Sequence, residues 1–230
     1  MYLIENWTTM EHIPPPGAGE LHLWRLDLDQ PMVDQSSLLS SDERQRGDRF
    51  LAAEDRQRFI QARAGLRRVL GQYLATDPTQ LCFGYGEQGK PFLQRPSTEL
   101  AFNLSHSQGL ALLAVTTGSA IGIDLEQPRL RLNLKAIARR LFDPAIQQEL
   151  APLKGEHLAQ AFYRHWTLHE ARIKALGEGI FHAHKAGTAD LACVNLIPQA
   201  GWLAAVAMAG GVPDPTEWKT CRLQPPPHCA

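Results

Sequence analysis

Ile121-Gly122-Ile123-Asp124-Leu125-Glu126 alternates strictly, and how it is read decides the fold. A β-strand repeats every two residues, so Ile121, Ile123 and Leu125 share one face while Asp124 and Glu126 share the other. The stretch reads as a strand midway along a chain of 230 residues. Upstream, Leu110–Thr116 and Ala101–Ser105 read as strands joined by a short polar link. Leu81–Tyr85 and Pro91–Leu93 flank the glycine-containing turn Gly86–Lys90 as a hairpin. Before them a helix spans Ala53–Leu74, with Phe59, Ala62, Leu66, Val69 and Tyr73 as its buried stripe. Ser40 and Glu43 have capping-box spacing and open an earlier helical stretch. Leu21–Leu28 reads as a strand. Residues 1–20, which end in Pro14-Pro15-Pro16-Gly17, form an arm to which no structure is assigned.

Downstream, Asn133–Leu141 carries a short helical pattern, and Asp143-Pro144 opens another helix as N-cap and first turn. A longer helix runs from about Glu156 to Leu176, with Gly177 or Gly179 as its stop. Leu191–Ile197 and Trp202–Met208 read as strands, and the Pro-rich tail from Val212 reads as mostly irregular. The order is strand, helices, strands, and then the same again. That is an α+β plan used twice, its halves meeting near residues 116–120.

Composition narrows the function classes. Hydrophobic residues make up 44% and charged residues 20%, which fits a soluble globular protein. No apolar run reaches the roughly 20 residues of a membrane helix. The first residues, Met1 to His12, lack a basic stretch followed by an apolar one, which argues against a secretory signal. Cys82, Cys193, Cys221 and Cys229 form no CxxC pair, so free thiols in a reducing cytoplasm are expected. With 23 Lys and Arg against 24 Asp and Glu, no global field points to nucleic acid. Eight arginines nevertheless fall between Arg44 and Arg68, and no acidic residue follows Asp55 there.

Three segments carry candidate chemistry. Asp124 and Glu126 place hard oxygen ligands together, a set suited to magnesium or manganese; alone, the pair reads equally as solvated surface carboxylates. On the helix around residues 162–174, Phe162, Trp166, His169, Ile173 and Leu176 form one stripe. Glu170 and Lys174 lie four apart along its edge, either as an ordinary ion pair or as a metal or proton ligand beside a phosphate-binding ammonium. In Asn103-Leu104-Ser105-His106-Ser107, the histidine at a strand end can meet an anion, while the serines can instead satisfy turn backbone groups. A rival is a zinc site built on His165 and His169, with His182 or His184 added. The pair lacks the H-E-x-x-H order.

Taken in order, Gly89-Lys90-Pro91, Phe102–Ser107, Ile121–Glu126 and the segment Trp166–Gly179 resemble the Sfp-type 4′-phosphopantetheinyl transferases. The upstream helix with Ala62-Arg63-Ala64-Gly65-Leu66-Arg67 agrees, and the likeness runs from about Leu21 to Met208. The resemblance implies an α+β pseudo-dimer of two similar halves, with the active site in the cleft between them. Residues 1–118 would form the coenzyme nucleotide side and 119–230 the metal side. It implies transfer of phosphopantetheine from coenzyme A to a serine of an apo acyl or peptidyl carrier protein, releasing adenosine 3′,5′-bisphosphate. Mg²⁺, or alternatively Mn²⁺, would be held by Asp124, Glu126 and Glu170. Glu170, Lys174 and His106 would be catalytic. Arg63, Arg67, Lys90, Ser105, His106 and Lys174 would bind the coenzyme. A cytoplasmic monomer with no nucleic-acid or membrane partner is expected. One position departs: the family has lysine where this chain has His169. That departure motivates the alternative of a non-catalytic coenzyme- or carrier-binding module.

Overall fold

The protein is described by a computed structural model over residues 1–10, 12–29, 34–130, 133–177 and 191–224. Its first half holds β1 (Tyr2–Leu3), β2 (Thr8–Thr9), β3 (His22–Asp27), α1 (Ser41–Gly47), α2 (Ala53–Leu74), β4 (Cys82–Tyr85), β5 (Pro91–Arg95), β6 (Leu100–Ser107) and β7 (Leu110–Thr117). Its second half holds β8 (Ile121–Glu126), α3 (Leu134–Leu141), α4 (Pro144–Leu150), α5 (Gly155–Leu176), β9 (Leu191–Ile197), β10 (Leu203–Ala209) and β11 (Lys219–Arg222).

The repeat visible only as an order of elements becomes a repeat of topology. β7 pairs antiparallel with both β3 and β6, and β10 pairs antiparallel with both β8 and β9. Each half thus orders its strands first, third, second, beside a 22-residue helix, α2 or α5. The expected two-half α+β arrangement is what the chain forms.

Period-two burial then stacks the halves. On the α2 side, Trp24, Leu26, Leu113 and Val115 pack with Leu66, Val69 and Leu70. The opposite faces of the same strands, through Leu21, Leu23, Leu110 and Leu112, pack with Ile121, Ile123, Leu125 and Val206. Beyond the second sheet, Ala205 and Ala207 meet Ala171 and Ala175 of α5. The layers are therefore helix, sheet, sheet, helix, with a shared core in the middle. β7 is buried on both faces, which is why Leu110–Thr117 reads as a continuous apolar run. At about 1.5–3 kcal/mol for each fully buried Leu or Ile, the joint between halves is a core and not a surface contact.

The chain ends cross between the sheets. β1 runs parallel beside β9 in the second sheet, while β11 runs parallel beside β3 and β2 in the first. Neither sheet is built from one side of the 118/119 division alone. The tail expected to be irregular from Val212 is ordered up to residue 224. Asp214 accepts the Thr216 N–H at 2.9 Å to start a short turn, Pro215–Glu217, which leads into β11. Four residues with one buried side chain, Cys221, carry too little pattern to read as a strand. Among the described residues no helix is long and apolar enough to cross a membrane. Cys82, Cys193 and Cys221 are free, and Cys229 lies outside the described residues.

Candidate active site

β8 is an edge strand of the four-stranded sheet and faces β6, an edge of the five-stranded one. No backbone ladder joins them. Side chains of the first half reach the free backbone groups of β8 instead. The Ile123 N–H donates to Asn103 Oδ1 at 2.8 Å, Leu125 N–H to Ser105 Oγ at 3.2 Å and Gln127 N–H to Ser107 Oγ at 3.4 Å. Lys90 Nζ donates to the Ile121 carbonyl at 2.9 Å. The serines beside His106 therefore satisfy a facing strand, not a turn.

The other side of β8 lies under α5, and Gly122 sets how closely. A Cβ there would stand 2.0 Å from the Ala171 carbonyl oxygen and 2.4 Å from the Ala175 nitrogen, so only glycine admits the helix at this height. This approach brings Glu170 and Lys174 over Asp124. Lys174 Nζ is 2.5 Å from Asp124 Oδ1 and 3.2 Å from Ser105 Oγ, and Ser105 Oγ donates to the same Asp124 oxygen at 3.1 Å. Asp124 is buried, with 6% of its side chain exposed, which removes the surface-carboxylate reading for it.

Burial pushes the Glu170 carboxyl above its usual range; Lys174 pulls it back, and the charges of Asp124 and Glu126 push it further up. Asp124 Oδ2 and Glu170 Oε1 are buried without a hydrogen-bond partner among the described residues. Buried, unpartnered carboxylate oxygens are costly unless a cation or proton meets them. An oxygen-only set from Asp124, Glu126 and Glu170 fits a hard divalent ion. Among the described residues, no three acidic, His or Cys side chains are already gathered into a metal cage, and Lys174 holds one Asp124 oxygen.

His106 ends β6 with its ring exposed. The surrounding protein and then the Lys174 charge hold its pKa below the usual histidine value, and Asp55 and Arg58 at the start of α2 also act on it. Burial lowers Lys90 to about 8. Beside Lys90 lies a concave space of about 390 Å³, walled by Phe92, Phe102, Ala175, Leu176 and Gly177. Lys90, Ser105, His106, Asp124, Glu170 and Lys174 thus gather at the joint. Glu126 joins them through β8, with its carboxylate 3.4 Å from the Ser107 hydroxyl.

Arg63 and Arg67 do not join the site, which corrects the expectation that they place the nucleotide. Both guanidinium groups bind the buried Glu43 carboxylate, Arg67 through Nε at 2.7 Å. Arg67 also donates to the Pro78 and Leu81 carbonyls at 2.8 and 3.0 Å, and both arginines lie over the Phe83 ring. Arg67 is 1% exposed, so its charge is consumed inside the fold. The apparent cationic surplus hid this because Glu43 lies 20 residues upstream of Arg63.

His169 packs edge-on against Phe142, with centroids 6.1 Å apart. His165 Nε2 lies 3.0 Å from Glu149 Oε2, an ion-pair geometry and not a zinc site. His182, His184 and Gly179 lie outside the described residues, while Gly177, in the left-handed region at φ 72°, ends α5. Gly122 and Asn103 were missed as site residues. Their signals were a glycine in an otherwise apolar strand face and three polar residues at period two on β6.

Two family models match the chain: "4′-phosphopantetheinyl transferase superfamily" over residues 120–204, and "4′-phosphopantetheinyl transferase, N-terminal" over residues 24–118. The chain is 42% identical to the 4′-phosphopantetheinyl transferase HetI of Nostoc sp., over 87% of this chain and 92% of that protein. It is 39% identical to a putative 4′-phosphopantetheinyl transferase of Synechocystis sp., over 69% of this chain and 65% of that one. With the transferase Sfp of Bacillus subtilis it shares 26% identity, over 70% and 72%. The two models meet where the shared core joins the two halves, and the HetI match runs across both. On that agreement the chain belongs to the 4′-phosphopantetheinyl transferase superfamily and is an enzyme of that class.

Proposed function

We propose that this protein moves the 4′-phosphopantetheine arm of coenzyme A onto a serine of an apo acyl or peptidyl carrier protein, with Mg²⁺. The observation that carries this reading is the buried, unpartnered pair Asp124 Oδ2 and Glu170 Oε1 beside the Lys174 ammonium. Asp124, Glu126 and Glu170 would hold Mg²⁺, which when bound neutralises charge on the pyrophosphate during in-line transfer. Lys174 supplies a point charge to the oxygen that leaves as adenosine 3′,5′-bisphosphate. Glu170, made more basic by burial, accepts the serine proton as the new O–P bond forms and the old one breaks. Lys90, Ser105 and His106 present donors from the first half to the coenzyme phosphates. Because one chain supplies both walls of the site, a monomer suffices, and a coenzyme A-dependent reaction on carrier proteins belongs in the cytoplasm.

Intact-mass analysis of apo carrier proteins incubated with enzyme, coenzyme A and Mg²⁺ tests this. A gain of one phosphopantetheine, lost when EDTA replaces Mg²⁺, is expected. No gain on any of a broad carrier panel would overturn the proposal.

A further inference from the structure

An edge strand presents unpaired N–H and C=O groups on its free side. β8 uses one set of these groups to pair with β10; the set at Ile121, Ile123, Leu125 and Gln127 points the other way. Each of these groups meets a side chain of the first half, and three of those side chains sit two apart on β6. Two of the four, Lys90 and Ser105, also face the space where the coenzyme is proposed to bind. Asn103 and Ser107 have no such second task. Asn103 is 4% exposed and makes the shortest of the N–H contacts.

We propose that Asn103, with Ser107, is a positioning residue: together they hold β8 in one spacing against β6 and so aim Asp124 and Glu126 beneath Lys174 and Glu170. This rests on the functional reading above. The apolar core between the sheets is non-directional and cannot fix that spacing alone. A shift of β8 by two residues would keep every apolar side chain facing the core, yet would move the carboxylates by about 6.8 Å. Hydrogen bonds that repeat every two residues, each to a particular N–H, resist that shift. Asn103 acts through the backbone of β8 and touches no reacting atom.

The experiment compares wild type, Asn103→Ala and Asn103→Asp, the last of which keeps an acceptor oxygen at similar reach. Transfer kinetics are read together with amide hydrogen exchange over residues 121–127. In Asn103→Ala, kcat should fall about tenfold or more while KM for coenzyme A moves less than about threefold. Exchange at Ile123 should speed up about tenfold, and Asn103→Asp should restore both quantities to within about threefold of wild type. An unchanged kcat in Asn103→Ala overturns the proposal. A raised KM at constant kcat also overturns it, since that marks a coenzyme contact. If Asn103→Ala does not fold, Ser107→Ala, at the less buried end, carries the same comparison at the Gln127 amide. A wild-type protein that transfers nothing overturns the functional reading itself; failure of the positioning role appears only in the variants.

Discussion

Asp124 shares one oxygen with Lys174 and Ser105 and leaves the other unpaired, so its charge matters more than its bulk. Asp124→Asn keeps the shape and removes the charge. Transfer should fall about 100-fold or more, with the melting temperature little changed, because the effect acts on charge stabilisation at the reacting phosphate. Near-normal turnover in that variant would remove Asp124 from the site. Lys90 gives a second prediction. With its pKa lowered to about 8, it is mostly neutral at pH 8.5, and a coenzyme phosphate beside it would restore the proton. Binding at pH 8.5 should then take up roughly 0.7 proton, measured by calorimetry in buffers of different ionisation heat. Lys90→Met should abolish the uptake; equal heats in all buffers for the wild type would sink the assignment.

His22, outside the site, predicts acid lability. Its Nδ1 lies 2.7 Å from the Tyr73 hydroxyl, which also accepts from the Trp24 indole at 2.7 Å. Burial, then Lys219, lowers its pKa to about 4. Unfolded, the same histidine takes up a proton near 6.5, so between pH 4 and 6.5 the unfolded chain binds more protons. Stability should therefore fall as pH drops, by about 2 kcal/mol between pH 7 and 5, and His22→Gln should flatten that slope in urea titrations. A slope identical in both proteins would mean that other groups govern the acid limb.

At the scale of elements, the long segments were legible and the short ones were not. α2 spans Ala53–Leu74 as its 3.6-residue stripe predicts, and Leu191–Ile197 is a strand as its apolar run predicts. β1, β2 and β11 have two, two and four residues, too few for a period, and they form because partners nearly 200 residues away are already in place. Within the candidate site, Asp124, Glu170 and Lys174 were legible from alternation and i, i+4 spacing. The Glu43 pairing that withdraws Arg63 and Arg67 was not, because no local pattern links the two helices. Gly122 belongs to this scale, since it decides how α5 lies on β8. Gly122→Ala forces a Cβ into helix backbone and should cost about 2 kcal/mol or more. That corresponds to a melting shift of about 4–8 °C, with transfer lost because Glu170 and Lys174 are lifted from Asp124. An unshifted melting temperature would mean that α5 yields there freely.

For the whole molecule, the shared core and the crossed ends argue against two autonomous domains. Leu23, Leu112, Ile123 and Val206 are fully buried only because the two sheets meet. A fragment 1–118 would expose that face and lack β11, while a fragment 119–230 would expose the matching face and lack β1. The protein should therefore unfold as one cooperative unit despite its internal repeat. Trp24 reports on the first half from beneath α2, and Trp202 reports on the second from the shared core. Single-tryptophan variants that keep one or the other should give coincident urea midpoints. Two separated transitions would show that the halves hold together only loosely. The same cooperativity bears on catalysis, since Lys90, Ser105 and His106 stand on one half while Asp124, Glu170 and Lys174 stand on the other. Any state that opened the joint would separate the proposed coenzyme donors from the carboxylates, so activity should vanish at the same urea concentration at which both tryptophans change, and not before it.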